Sequence, residues 1–139
     1  MYERIVLAAD GSQNSLRAAK EAGKLAKASA NAIVEVILVA DFDKAKSEIL
    51  HAQSHVEVEQ LRRKKLASVE EWLQQEGITY KVKVLHGEPG PAIVDYVNKE
   101  KVSLVVIGSR GLNALQEMVL GSVSHKVVKR AQCPVLIVK

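Results

Sequence analysis

Short apolar runs alternate with longer stretches of helical character along the whole chain. Each run is rich in β-branched residues and bounded by turn residues, which is typical of strands in a parallel sheet. The alternation therefore predicts an α/β fold built from repeated strand–helix units. The five predicted strands span residues 4–9, 33–40, 81–86, 103–107 and 134–138.

Four helices are predicted between these strands. Gly77 is expected to end the second helix, and Gly90-Pro91 suits the start of the third because the missing N–H of proline is not needed there. In the first helix, small residues such as Gly23 allow a close approach to the sheet. The predicted helices span about residues 14–29, 47–76, 91–99 and 114–130.

The second helix has an irregular inward face. Leu66 and Leu73 belong to an apolar stripe, yet Arg62 and Lys65 fall on the same face one turn earlier. We therefore expect the first half of this helix, together with loop 41–46, to overhang the sheet or to move.

Length and composition limit the classes of protein. A chain of 139 residues fits a single domain over residues 1–139, and no apolar stretch reaches the length of a membrane span. The first residues lack the pattern of a signal peptide, and the lone Cys133 agrees with a reducing compartment, so a cytoplasmic protein is expected. The net charge is +4, but basic and acidic residues are interspersed and aromatics are scarce, which makes a nucleic-acid partner unlikely.

A glycine pattern near the C-terminus points to an anion site. Gly108-Ser109-Arg110-Gly111 follows the fourth predicted strand, and after nine residues comes Gly121-Ser122-Val123-Ser124. Glycine lets the backbone approach an oxyanion closely, and amides beside a helix start favour negative charge. The pattern predicts two loops that grip one polyphosphate.

Each of these residues also has a purely structural interpretation. Gly108 and Gly111 could serve a tight turn, Ser122 could cap a helix, and Asp10 could cap the first helix. Taken singly, these alternatives are at least as good as the phosphate site, but together they leave the spacing unexplained.

With these motifs the chain resembles the universal stress protein family. The residues that carry the resemblance are Asp10-Gly11-Ser12 after the first strand, Gly87-Glu88-Pro89 before the third helix, and the two glycine loops. The resemblance implies a five-stranded parallel sheet in the order 3-2-1-4-5, with helices on both faces. Its switch point lies between strands one and four, where Asp10 and Gly108 flank a crevice.

The resemblance also implies ATP as the ligand and a homodimer joined by antiparallel pairing of strand 134–138. Phosphates are expected at the backbone of the two loops, with the hydroxyls of Ser122 and Ser124 as further donors. Asp10 is expected to face the ribose or a bound Mg²⁺ ion. Adenine is expected near Val39, with Ala9 packing against it. The residues assigned to the nucleotide are Ala9, Asp10, Val39, Gly108, Ser109, Arg110, Gly111, Gly121, Ser122, Val123 and Ser124.

Motifs of enzymes are largely missing from the sequence. It contains no Gly-x-x-x-x-Gly-Lys-Ser/Thr loop and no Gly-x-Ser-x-Gly elbow, and His51 and His55 lack a third zinc ligand. Arg110 can pair with a phosphate or point to water. We expect a cytoplasmic, ATP-binding regulatory protein of the stress-response type that acts through its bound nucleotide, with an unknown regulatory protein partner and with slow or no hydrolysis. The alternatives are a slow ATPase or related nucleotidyl-transfer enzyme, and a dimeric adaptor that binds no nucleotide.

Overall fold

Strands and helices alternate along the chain in the predicted order. In the computed structural model, residues 2–40, 54–110 and 120–139 are described. The strands are β1 (Arg4–Ala8), β2 (Ile33–Ala40), β3 (Tyr80–His86), β4 (Leu104–Gly108) and β5 (Val135–Val138). The helices are α1 (Gln13–Lys27), α2 (Ser54–Gln75), α3 (Pro89–Glu100) and α4 (Ser122–Arg130).

All strand pairs are parallel, and the sheet order β3-β2-β1-β4-β5 confirms the predicted fold class. β1 is central, since Ile5 pairs with Val34 of β2 on one side and with Leu104 of β4 on the other. The chain leaves β1 toward β2 and later returns to its opposite side. This reversal opens a crevice at the carboxyl ends of β1 and β4.

The two faces of the sheet are covered by different helices. Ile5 and Leu7 of β1 are buried with α1 and α2, whereas Val6 and Ala8 are buried with α3 and α4. This strict alternation follows from the two-residue period of a strand. Strands buried on both faces need apolar residues at successive positions, which explains the continuous apolar runs of the sequence.

Gly23 allows close packing between α1 and α2. A Cβ atom at this position would overlap the ring of Trp72 and lie 2.6 Å from Cδ1 of Ile78. Gly23, the small residue predicted to face the sheet, thus leaves room for the indole ring of Trp72 on α2.

Three predicted helix boundaries are wrong, and the first is the end of α1, which lies at Lys27 and not at residue 29. α3 begins at Pro89, and Gly90 already lies inside its first turn. Leu120 and Gly121 are not helical, so α4 begins at Ser122 and a continuous helix over residues 114–130 is excluded. Residues 47–53 and 114–119, which the sequence assigned to helices, lie outside the described residues.

The basic residues on the inward face of α2 are accommodated. Arg62 donates to both carboxylate oxygens of Glu70, at 3.0 and 2.7 Å. Leu61 packs against the core, and the stem of Lys65 lies over Gly11. α2 is therefore docked from Leu61 onward, and the expected overhang does not include this turn. In the described part of the chain, no helix combines the length and hydropathy required to cross a bilayer.

Candidate functional site

The turn between β1 and α1 is held by two side chains. Oδ1 of Asp10 accepts from the amide of Ser12 at 2.9 Å, and Oγ of Ser12 accepts from the amide of Ser15 at 3.1 Å. Ser12 therefore caps α1, and the alternative that Asp10 is the cap is wrong. Gly11 has φ +89°, a conformation that favours glycine. The turn fixes Asp10 at the carboxyl end of β1.

Gly108 permits α1 to approach the end of β4. A Cβ atom on Gly108 would lie 2.8 Å from Cβ of Asn14 and 3.0 Å from its carbonyl carbon. Gly108 is the last residue of β4 and pairs with Val138, so the tight-turn alternative is wrong for this residue. Nδ2 of Asn14 donates to the carbonyl of Arg110 at 3.0 Å. Asn14, which the sequence analysis missed, thus fastens the first glycine loop to α1.

The two glycine loops are hydrogen-bonded to each other through Ser109. The carbonyl of Ser109 accepts from the amide of Gly121 at 2.7 Å and from Oγ of Ser124 at 2.8 Å. Ser109 and Ser124 are both buried. The spacing of the motif therefore brings two distant segments side by side, and it uses the Gly121 amide and the Ser124 hydroxyl to do so.

The second loop leads directly into α4. Gly121 is the N-cap residue with φ −70° and ψ 167°, an extended conformation that any residue can adopt. Ser122 is the first helical residue, which excludes its role as the cap. The first bond within the helix runs from the amide of His125 to the carbonyl of Gly121 at 2.9 Å. The amides of Ser122, Val123 and Ser124 precede that bond, and such amides have no acceptor inside their own helix.

A cleft of about 240 Å³ lies between the starts of α3 and α4. The stem of Lys126 crosses it, with Cδ 2.8 Å from where a Cβ of Gly90 would be. Glu88 and Pro89 of the Gly87-Glu88-Pro89 motif thus line the same cleft as the second glycine loop, an arrangement that the sequence did not predict. The lining residues are Glu88, Pro89, Gly90, Pro91, Ser122, Val123 and Lys126.

The remaining predicted site residues follow the strand ends. Ala9 is buried and donates its amide to the carbonyl of Ile37 at 3.0 Å. Val39 lies near the end of β2 and is half-buried, as is Arg110. Gly111 lies outside the described residues. The described candidate residues therefore lie together at the carboxyl ends of the strands.

Asp10 is the candidate for a metal contact. Mg²⁺ is usually held by one or two carboxylates together with substrate phosphates and water, so a single aspartate beside the predicted phosphate site would fit that ion. Across residues 2–40, 54–110 and 120–139, no group of three or more His, Cys, Asp or Glu residues could hold a metal ion. The predicted helical pair of histidines is not described, since His51 and the side chain of His55 lie outside the described residues.

Comparison with known proteins agrees with this architecture. The model of the universal stress protein family matches residues 1–139. The chain belongs to the universal stress protein family. A curated relative from this family, Universal stress protein MJ0531 of Methanocaldococcus jannaschii, is 35% identical over 100% of this chain and 83% of its own length.

Solved structures of relatives share the fold. The hypothetical protein MJ0577 superposes with a TM-score of 0.84 at 28% identity, and the match covers 100% of this chain and 96% of that one. A universal stress protein in complex with cAMP has a TM-score of 0.69 at 29% identity, with 99% of this chain and 97% of that chain covered. At least one similar universal stress protein thus binds an adenine nucleotide.

Proposed function

We propose that this universal stress protein binds ATP where β1 and β4 end, and that it acts through the bound nucleotide. The observation that carries the proposal is the hydrogen-bonded junction of the two glycine loops at Ser109. This junction ties the start of α4 to the end of β4. Because β4 pairs with β1, the first amides of α4 and Asp10 lie at the ends of neighbouring strands. Aligned amides at a helix start attract phosphate. The spacing of the two glycine loops and the first amides of α4 therefore support the same kind of ligand.

The contacts already made within the protein narrow the role of each residue. The phosphates bind the amides of Ser122 and Val123 and the exposed hydroxyl of Ser122, with the backbone of Arg110 and Gly111 on the other side. The amide of Ser109 donates to the carbonyl of Val138 at 2.8 Å, so Ser109 serves the fold. Gly121 and Ser124 hold the loops together. Asp10 faces the ribose or a magnesium ion, while the adenine packs near Ala9 and Val39.

Regulation follows from the differential affinity of ATP for two conformations or partner surfaces of the protein. Fast hydrolysis requires a positioned water and charge stabilisation on the transferring phosphoryl group. The proposal offers two charged side chains, Arg110 and Asp10, for positioning the water and stabilising the phosphoryl charge. These are few for fast hydrolysis, so we expect turnover to be slow or absent. A cytoplasmic location and a regulatory protein partner remain predictions from the sequence and the resemblance.

The protein also pairs with a second copy through β5. The two edges of the sheet differ, since β3 exposes Lys81, Lys83 and His86 whereas β5 consists of the apolar residues Val135–Val138, all half-buried. Charged residues on an edge strand discourage pairing with another chain, and an apolar edge favours it. Antiparallel pairing at β5 is therefore the expected dimer contact.

The ATP proposal is tested by calorimetric titration of wild type and three variants. Gly121→Val inserts a branched side chain beside the phosphate-facing amides and should abolish detectable ATP binding. Ser122→Ala removes one hydrogen bond to a charged group and should weaken binding by about 1–3 kcal/mol. Ser68→Ala, an exposed position on α2, is the matched control and should bind as wild type does.

A ligand series separates phosphate recognition from nucleoside recognition. AMP, cAMP and adenosine should all bind more weakly than ATP, with adenosine the weakest, because the proposed contacts are mainly to phosphates. Mass spectrometry of small molecules released from the purified protein identifies the nucleotide that it carries. If folded Gly121→Val binds ATP as tightly as wild type, the phosphate site is wrong and the nucleotide-free adaptor becomes the better hypothesis.

A further inference from the structure

Lys65 of α2 packs directly on the turn that carries Asp10. A Cβ atom on Gly11 would lie 2.9 Å from Cδ of Lys65 and 3.5 Å from both its Cα and its carbonyl oxygen. Any other residue at position 11 would push the lysine away. A replacement residue would also be strained, because position 11 has a φ of +89°. The stem of Lys65 therefore packs on the backbone of Gly11.

The packing of the stem fixes where the charge lies. Lys65 is half-buried, and only two bonds separate its Cδ from the ammonium nitrogen. A lysine whose stem is packed keeps its ammonium in water, so the Lys65 ammonium stays within two bonds of the Cδ that packs on the β1–α1 turn. Lys64, the next residue on the same helix, is exposed.

Unlike Arg62, Lys65 makes no ion pair with a described residue. Within residues 54–75, the ion pairs of the described residues belong to Arg62, which binds Glu70 at 2.7 Å and lies 3.9 Å from Glu59. The Lys65 ammonium has no carboxylate partner in the described part of the chain. A cation without a carboxylate partner is available to pair with an anionic ligand, because the opposite charges attract.

We propose that Lys65 contacts a phosphate of the bound nucleotide, an inference that rests on the proposed function. The amides of α4 supply oriented donors, and Lys65 supplies a point charge from the opposite side of the turn. Bound phosphate then links α2 to the β1–α1 turn. The nucleotide thereby stabilises the docked position of α2 on the sheet.

The experiment is calorimetric titration of ATP and adenosine into wild type, Lys65→Met and Lys64→Met. Methionine keeps an unbranched stem over Gly11 and removes the charge. Lys65→Met should weaken ATP binding about three- to tenfold at about 50 mM NaCl, and the loss should shrink at about 500 mM NaCl because salt screens the attraction. Adenosine binding should not change. Lys64→Met should bind ATP within about twofold of wild type, since exposed charges contribute little.

The outcomes distinguish this role from the proposed function. If wild type binds ATP and Lys65→Met binds it equally well, the phosphate contact is wrong and the proposed function stands. If Lys65→Met weakens adenosine as much as ATP, the residue serves packing alone, which also overturns the contact. If wild type binds no ATP, the proposed function fails and this role fails with it. Circular dichroism confirms that both variants fold.

Discussion

At the scale of single residues, Glu35 departs most from the sequence pattern. It sits in the middle of the apolar strand β2 and is 1% exposed. Arg4 donates to both of its carboxylate oxygens, at 2.6 and 3.1 Å, and the hydroxyl of Tyr96 donates to one of them. Arg4 also donates to the carbonyl of Glu100 at 2.6 Å. The buried charge is thus fully paired, and it connects β1 and β2 to α3.

The pKa values in this cluster follow from burial and pairing. Burial by itself would raise the pKa of Glu35, but the hydrogen bonds from Arg4 and Tyr96 outweigh it and the pKa is lowered. Burial and the bond to the carboxylate raise the pKa of Tyr96 to about 12. Because the carboxyl pKa is lower in the folded state, its stabilisation is present above the unfolded pKa. The stabilisation is lost as the pH falls through the folded pKa.

Glu35→Gln should therefore lower the free energy of unfolding at pH 7 by about 1–3 kcal/mol, since it leaves the partly exposed Arg4 without its carboxylate. The variant should also lose part of the acid dependence of stability. Urea unfolding between about pH 3 and pH 7 measures both effects. Glu100→Gln is the control, because the 43% exposed side chain of Glu100 lies 3.5 Å from Arg4 and should contribute little. Equal costs for the two variants would contradict this account.

At the scale of elements, the junction of β4 and α4 places two serines of the candidate site in different environments. Ser122 and Ser124 are two residues apart on one helix turn, yet one is exposed and the other is 2% exposed and bonded to Ser109. Helical geometry points them in different directions. The same turn therefore carries one hydroxyl that is bonded within the fold and one that stays exposed and is proposed to contact phosphate.

Ser124→Ala should lower the free energy of unfolding by about 1 kcal/mol, because it removes one buried hydrogen bond while the Gly121 amide still satisfies the Ser109 carbonyl. Ser122→Ala should change stability by less than about 0.5 kcal/mol, as expected for an exposed side chain. Urea unfolding of both variants without ligand measures the difference. A larger loss for Ser122→Ala than for Ser124→Ala would show that the two roles are reversed.

At the scale of the whole molecule, the unequal sheet edges predict the assembly. Leu136→Lys places a charge in the apolar edge strand and should convert a dimer into a monomer in light scattering at micromolar concentration. Val82→Lys is the matched control, because Val82 is a half-buried residue of the opposite edge strand. Circular dichroism checks the fold of both. A wild-type monomer, or a dimer unaffected by Leu136→Lys, would contradict pairing through β5.

The sequence by itself determined the fold class and the order of the elements. β-branched runs and turn residues are local signals, and they located β2 at Ile33–Ala40 and the other strands to within one residue. The strand order came from the family resemblance, because local periodicity does not specify which strands pair. The glycine spacing pointed to the candidate site for a related reason: each loop directly follows a strand or precedes a helix.

Only the tertiary structure decided how the distant segments meet. Gly108 serves the approach of Asn14, and Ser109 ties the two glycine loops together. Lys65 interrupts the apolar face of α2 and packs on Gly11, and Glu35, in the apolar strand β2, binds Arg4. Periodicity assigns a residue to a face of its own element, and a contact also requires the position of the other element. That position is set by packing of the whole core, which no local pattern contains.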